Sequence, residues 1–166
     1  MQLLTTSREA SFVLPDEGKV CNVFSSTITI KIRSEMTNSA YSVSENAVPP
    51  GAGAPPHIHH RELETFIVLE GEFEFHCGDR KFVATKGAMV VLPKEIPHSF
   101  KNVRSAAGKA LLILVPGGAE KVFEEINAMP PGGQETAKIN AVTMKYGIEF
   151  LPTDSPGRQA SSDAVS

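Results

Sequence analysis

Alternation of polar and apolar residues is clearest at positions 25–32, where SSTITIKI places every second side chain on one face of an extended chain. Successive side chains of a strand point to opposite faces, so this pattern marks a strand with one buried side. Short runs of the same kind recur at 41–47, 63–69, 73–76, 81–84, 88–92, 98–103 and 110–115. Turn-forming residues separate them, among them Pro49-Pro50-Gly51, Glu70-Gly71, Gly78-Asp79 and Lys86-Gly87. Many short strands with regular turns predict an all-β fold, an antiparallel sandwich or barrel. A two-residue turn at Glu70-Gly71 predicts a hairpin that pairs Leu69 with Glu72 and Val68 with Phe73. In that register Glu64, Phe66, Val68, Phe73 and Phe75 face inward, while Glu72, Glu74 and His76 face solvent.

Beyond Val115 the period lengthens to that of a helix. Positions 118–128 carry Val122, Phe123 and Ile126 on one side and stop before Pro130-Pro131; a second helix is expected over 134–146, ended by Gly147. The expected organisation is an N-terminal arm over 1–24, a barrel core over 25–118 and a short helical cap over 119–153. The Ser-, Gly- and Ala-rich tail over 154–166 reads as disordered. The barrel pattern occurs once, so a single barrel is expected.

Composition narrows the partners. With 166 residues and 41% hydrophobic content the chain can bury one core. A formal net charge of −3 leaves no broad basic surface for phosphates or anionic lipids, so neither nucleic acid nor membrane is an expected partner. The start MQLLTTSREASF lacks a basic segment followed by an apolar one, and the apolar run at 110–115 is far short of the ~20 residues of a membrane span. A soluble, cytoplasmic protein is the expectation. Cys21 and Cys77 could form one disulfide at most, and in a reducing compartment they read as free thiols.

The candidate chemistry lies in four residues. His57 and His59, two apart, project from the same face of an extended strand. Glu64 begins the next strand on its inward face, and His98, preceded by Pro97, can add a fourth donor from a facing strand. Three imidazoles and a carboxylate suit iron, manganese, nickel, copper or zinc and suit magnesium or calcium poorly, so one divalent transition metal is the expected cofactor. Taken alone, His57, His59 and His60 also fit a polar surface loop.

The four donors belong to a longer pattern that resembles the cupins. GAGAPPHIHHRELETFIVLEG, residues 51–71, follows the first cupin motif, and GAMVVLPKEIPHSFKN, residues 87–102, follows the second at Gly87, Pro93, His98 and Asn102. The second departs at Glu95, where cupins usually carry glycine. Gly71 selects Glu64 rather than Glu62 as the motif carboxylate, which leaves Glu62, His60 and Arg61 as rim or loop residues. The resemblance implies a double-stranded β-helix, a jelly roll with short C-terminal helices here, holding a metal at its mouth through His57, His59, Glu64 and His98. It also implies a homodimer.

The stretch PHIHHRE at 56–62 and the ending YGIEF at 146–150 are similar to small cupins grouped with quercetinase-like dioxygenases. That likeness implies a small phenolic or enolic, flavonol-like substrate, incorporation of O2, and Glu64 as both ligand and catalytic base. Phe66, Phe75, Phe100 and Leu112 are the expected pocket wall, with Phe100 nearest the metal because it follows His98 by two residues. His76 is expected in solvent and Asn102 in a structural role. Two alternatives stay open. A metal-assisted isomerase or lyase would need cationic groups, for which Arg80, Lys81 and Arg104 are the candidates; a small-ligand-binding module would need no catalysis.

Overall fold

The structure, a computed structural model, describes residues 10–130 and 136–152. The tail expected over 154–166, the first residues of the arm and the start of the second expected helix lie outside the described residues. In chain order the strands are β1 (Lys19–Val23), β2 (Ser26–Ile32), β3 (Ser42–Val48), β4 (Gly53–His59), β5 (Leu63–Glu70), β6 (Glu72–Cys77), β7 (Arg80–Thr85), β8 (Met89–Leu92), β9 (His98–Asn102) and β10 (Gly108–Val115). Helices α1 (Lys121–Asn127) and α2 (Thr136–Thr143) follow, and the short strand β11 (Ile148–Phe150) closes the described chain.

The strands form two antiparallel sheets, ordered β1-β2-β3-β10-β5-β8 and β11-β4-β9-β6-β7. Their inner faces pack as a jelly-roll sandwich. Alternation reads through to burial: Phe66, Val68, Phe73 and Phe75 are each at most 1% exposed, whereas His76 is exposed. The expected hairpin at Glu70-Gly71 does not form. β5 pairs with β10 and β8, and β6 pairs with β7 and β9, so the chain crosses from one sheet to the other at this point. Gly71, with φ +86, supplies the left-handed backbone that a crossing in one residue needs. The inward faces survive this correction because both sheets turn their apolar sides to the same core.

The sandwich also reaches past the 25–118 span expected for it. β1 adds an edge to the first sheet through β2, and β11 returns from the C-terminal region to pair with β4. Both lie in segments expected as arm and cap. The core is aromatic at its centre: Phe66 lies 4.9 Å from Phe100 and 5.4 Å from Phe75 between ring centroids, and Phe75 stacks on Phe82 at 5.7 Å. Each such ring, fully buried, is worth about 1.5–3 kcal/mol relative to exposure. Cys21 and Cys77 are both free. No helix among the described residues is long and apolar enough to cross a membrane.

α1 caps one opening of the sandwich, burying Val122 and Ile126, which lie four apart on one side of the helix. Glu120, just before it, is fully buried and accepts hydrogen bonds from the Ser34 N–H at 2.8 Å and the Gly118 N–H at 2.7 Å. Burial alone raises its carboxyl, but the bonds from Ser34 and Gly118 outweigh that and hold it below the ordinary carboxylate range. A depressed folded-state pKa gives stability that is present above the unfolded pKa and lost as pH falls through the folded one. Glu120→Gln should therefore lower stability at pH 7 by about 1–3 kcal/mol, the cost of a compromised buried acceptor, and the gap should close at pH 3. Denaturant titrations at the two pH values check this.

Candidate metal centre

β4 carries the sequence Gly-Ala-Pro-Pro-His-Ile-His, and its two prolines sit where the register with β9 shifts, between Ala54↔Phe100 and His57↔His98. Proline cannot donate to a ladder, and a bulge is where a sheet tolerates it. The shift sets His57 directly opposite His98, with ring centroids 4.4 Å apart. His59, two residues on, turns to the same inner face. β11 holds the other edge of β4, pairing Ile148 with His59 and Phe150 with His57, and the Phe150 ring stacks on that of His57 at 5.0 Å. Glu64 comes from β5, in the opposing sheet, between Leu114 and Leu92. The four donors thus join the two sheets across the sandwich.

One donor atom from each of His57, His59, Glu64 and His98 lies within 4.8 Å of the others, and all four residues are buried. The histidine protonation is set by what each Nδ1 faces. His57 Nδ1–H donates to the Pro55 carbonyl at 2.8 Å and His98 Nδ1–H to the Ile96 carbonyl at 2.9 Å. His59 Nδ1–H donates to the Glu62 carboxylate at 3.1 Å. Each ring therefore keeps a lone pair on Nε2, and those of His59 and His98 face Glu64. His59 Nε2 lies 3.6 Å from Glu64 Oε1 and His98 Nε2 lies 2.8 Å from Glu64 Oε2. The second contact is short but not aligned as a hydrogen bond, and both of its atoms are buried without a directed partner. Lone pairs converging on one buried point are repulsive unless a cation sits between them, so the residues fit a divalent transition ion.

The electrostatics favour the ligating forms of His57 and Glu64. Burial drives the His57 imidazole down to about 3, so it is neutral at physiological pH. Burial pushes the Glu64 carboxyl up, but His59, His98 and His57 outweigh it and hold the group at about 2. For His59, burial lowers the ring and the neighbouring Glu64 and Glu62 carboxylates more than compensate, giving a net rise.

Glu62 is not a rim residue. It is 4% exposed and orients His59 through Nδ1, a carboxylate–imidazole arrangement that fixes ring orientation and raises ligand basicity. Its signal in the sequence was a carboxylate three residues after His59, across a tight turn. Glu62→Ala should weaken metal affinity by roughly 10–100-fold with the fold intact, as read by competition against a chelating dye. Unchanged affinity would remove Glu62 from the site.

His60 takes a structural part. Its ring bridges the carboxylates of Glu95 and Glu149 at 2.9 Å each, and its N–H donates to the Gly147 carbonyl at 2.8 Å. Glu95 stands where cupins usually carry glycine and keeps a left-handed φ of +66, so the turn before His98 has the conformation glycine favours. The Glu95 N–H donates to the His59 carbonyl at 2.8 Å, tying that turn to β4. Asn102 is structural as expected: its Nδ2 donates to the carbonyls of Val48 and Ala106, and its Oδ1 accepts from the Arg104 N–H.

Beside the donors lies a cavity walled by Phe66, Phe100 and Leu112 from the sandwich and by Val122, Phe123 and Phe150 from the C-terminal segment. Phe75, read from the sequence as pocket wall, is fully buried behind Phe66 and Phe100 and does not line it. Among the described residues no lysine or arginine does either. Lys81 pairs with Glu74, Arg104 with Glu72, and Arg80 lies over Phe82, all away from the cavity.

Residues 45–114 match the family model described as cupin domain. The chain contains a cupin domain. No curated protein matches the sequence. Among solved structures, the fold superposes on a predicted oxalate decarboxylase from Thermotoga maritima with TM-score 0.60 at 18% identity, over 64% of this chain and 99% of that one. KdgF from Halomonas sp. aligns with TM-score 0.60 at 20% identity, over 67% of this chain and 99% of that one. Fe(II) HppE aligns with TM-score 0.55 at 18% identity, over 63% of this chain and 60% of that one. At such identities the likeness is one of fold. The cupin sandwich here carries its own wall, since Val122, Phe123 and Phe150 come from chain beyond the matched residues.

Proposed function

We propose that this cupin domain is a metal-dependent dioxygenase acting on a small, uncharged phenolic or enolic substrate. The observation that carries the reading is the cavity: mostly aromatic and aliphatic, with no cationic side chain among the described residues, and opening directly on His57, His59 and Glu64. Such a wall favours a flat apolar ring. An oxyacid substrate, for a decarboxylase, isomerase or lyase, would bury its charge there unpaired. The Thermotoga neighbour is described as a predicted oxalate decarboxylase, and oxalate is a small dianion; this cavity offers it no counter-charge beyond the metal.

His57, His59, His98 and Glu64 would hold the ion. A divalent transition ion there would acidify a bound hydroxyl and give O2 a redox partner. Glu64 is the anionic group that lines the cavity among the described residues, and in this reading it receives the hydroxyl proton. Phe66 and Phe100 stack along the ring, and α1 keeps water from the reacting face. Fe(II), the ion named for the HppE structure, is the first choice for reconstitution.

Metal-loaded protein is screened for O2 uptake against a panel of phenols and enols, with 18O2 used on any that respond. Uptake with both labelled atoms in the product is the expected result. Turnover of small oxyacids that runs as fast under argon would overturn the reading in favour of non-oxidative chemistry.

A further inference from the structure

Besides Glu64, two polar side chains in the cavity each have a buried oxygen with no partner among the described residues. Ser26, at the start of β2, and Asn46, in β3, are 5% and 3% exposed and line the same space as the metal donors. Ser26 Oγ and Asn46 Oδ1 are buried and make no hydrogen bond among the described residues. They are neighbours by register: Asn46 stands opposite Ile28, and Ser26 precedes Ile28 by two residues on the same inward face. Among the neighbouring inward positions Ile28, Ile30 and Val48 are apolar and Ser44 is polar; of Ser26, Ser44 and Asn46, only Ser26 and Asn46 line the cavity, each with a buried oxygen lacking a partner among the described residues. A core rarely tolerates a buried hydroxyl and a buried amide oxygen side by side without partners; a ligand-binding wall does.

We propose that Ser26 and Asn46 form a second polar subsite, which binds a hydroxyl group on the substrate at the end away from the metal. The inference rests on the metal reading above and extends it to the class of substrate: a molecule with a metal-binding enol or phenol oxygen, an apolar ring and a further hydroxyl. A hydroxyl meets both demands at once, donating to Asn46 Oδ1 and accepting from the Ser26 O–H. A carboxylate or phosphate has no proton to give Asn46 Oδ1 and would bring charge into a wall with no cation. The aliphatic and aromatic stretch between the two ends, Phe66, Phe100 and Leu112, accommodates the ring.

The test uses two pyranones with the same chelating end, kojic acid and allomaltol, which differ in carrying a hydroxymethyl or a methyl group on the ring. Binding is measured by calorimetry to full-length protein reconstituted with Zn(II), which removes redox turnover. Wild type should prefer kojic acid by roughly tenfold, the worth of a pair of hydrogen bonds in a dry site. Ser26→Ala and Asn46→Leu should each erase most of that preference, read as the ratio of the two affinities in the same variant. Equal binding of the two by wild type, or a preference that persists in both variants, would overturn the subsite while leaving the metal reading intact. Failure of both pyranones to bind would overturn the metal reading and the subsite with it. A second readout needs no ligand: Ser26→Ala removes an unsatisfied hydroxyl, so the melting temperature of the unliganded protein should stay level or rise. A fall of several degrees would show a structural hydroxyl and overturn the proposal, even if Asn46→Leu does not fold.

Discussion

His57→Ala combined with His59→Ala should yield a folded protein that holds no transition metal. These two residues give two of the four donors, both from one face of β4, and what remains is Glu64 and His98 in contact at 2.8 Å. One imidazole and one carboxylate form a weak site that loses the ion to any chelator. The fold should persist because the sandwich does not depend on metal as a zinc finger does: Phe66, Phe73, Phe75, Leu92 and Leu114 are each at most 1% exposed without it. The melting temperature should nevertheless fall by several degrees. The His57 ring packs on Phe150, so its loss opens a gap beneath β11, and the buried Glu64 loses two of the groups that offset its charge. Metal analysis after dialysis, paired with circular dichroism, reads both effects. A metal-to-protein ratio equal to that of wild type would refute the ligand assignment.

Glu64→Gln carries the second large effect. The amide is nearly isosteric and keeps one oxygen facing the histidines, but it loses the negative charge and the basicity needed to take a proton. Three imidazoles remain, so metal content should fall only in part and recover when excess ion is supplied. Turnover per bound ion should stay down by roughly a hundredfold or more, the scale of a lost general base. The measurement is O2 uptake per bound ion after reloading, with the best substrate from the phenol and enol panel. Recovery of activity in step with occupancy would reduce Glu64 to a ligand and assign the proton to another acceptor.

The faces of the strands were legible because a period of two states which side chains are buried whatever the partner strand is. Pairing was not. A Glu70-Gly71 turn has the chemistry of a hairpin, and only the second sheet, built from β4, β6, β7, β9 and β11, reveals that Gly71 is a crossing point. β1 was missed because its five residues carry too little alternation, and β11 because it has only three and its partner β4 lies far back in the chain. His57, His59, Glu64 and His98 were legible from their spacing read together with the cupin motif, whose Gly71 selects Glu64 over Glu62. Glu62 was not: its role comes from a turn that buries it under His59, and nothing in the string HHRELE separates a buried carboxylate from an exposed one. Phe75 and Phe66 share the inward face and the same residue class, but depth in the sandwich decides which of them meets the cavity. Ser26 and Asn46 could have been flagged as polar residues at inward positions of alternating strands, a signal that acquires meaning only once the cavity is seen.

The central claim is that three imidazoles and one carboxylate from opposite sheets hold a single ion. X-ray absorption at the iron edge, on protein reconstituted with one equivalent of Fe(II) under anaerobic conditions, tests it most directly. The account predicts the outer-shell scattering of three imidazole rings together with a carboxylate oxygen, from His57, His59, His98 and Glu64. One ring's contribution should vanish in His98→Ala. An ion surrounded by oxygen with one imidazole or none, or a spectrum unchanged in His98→Ala, would contradict it.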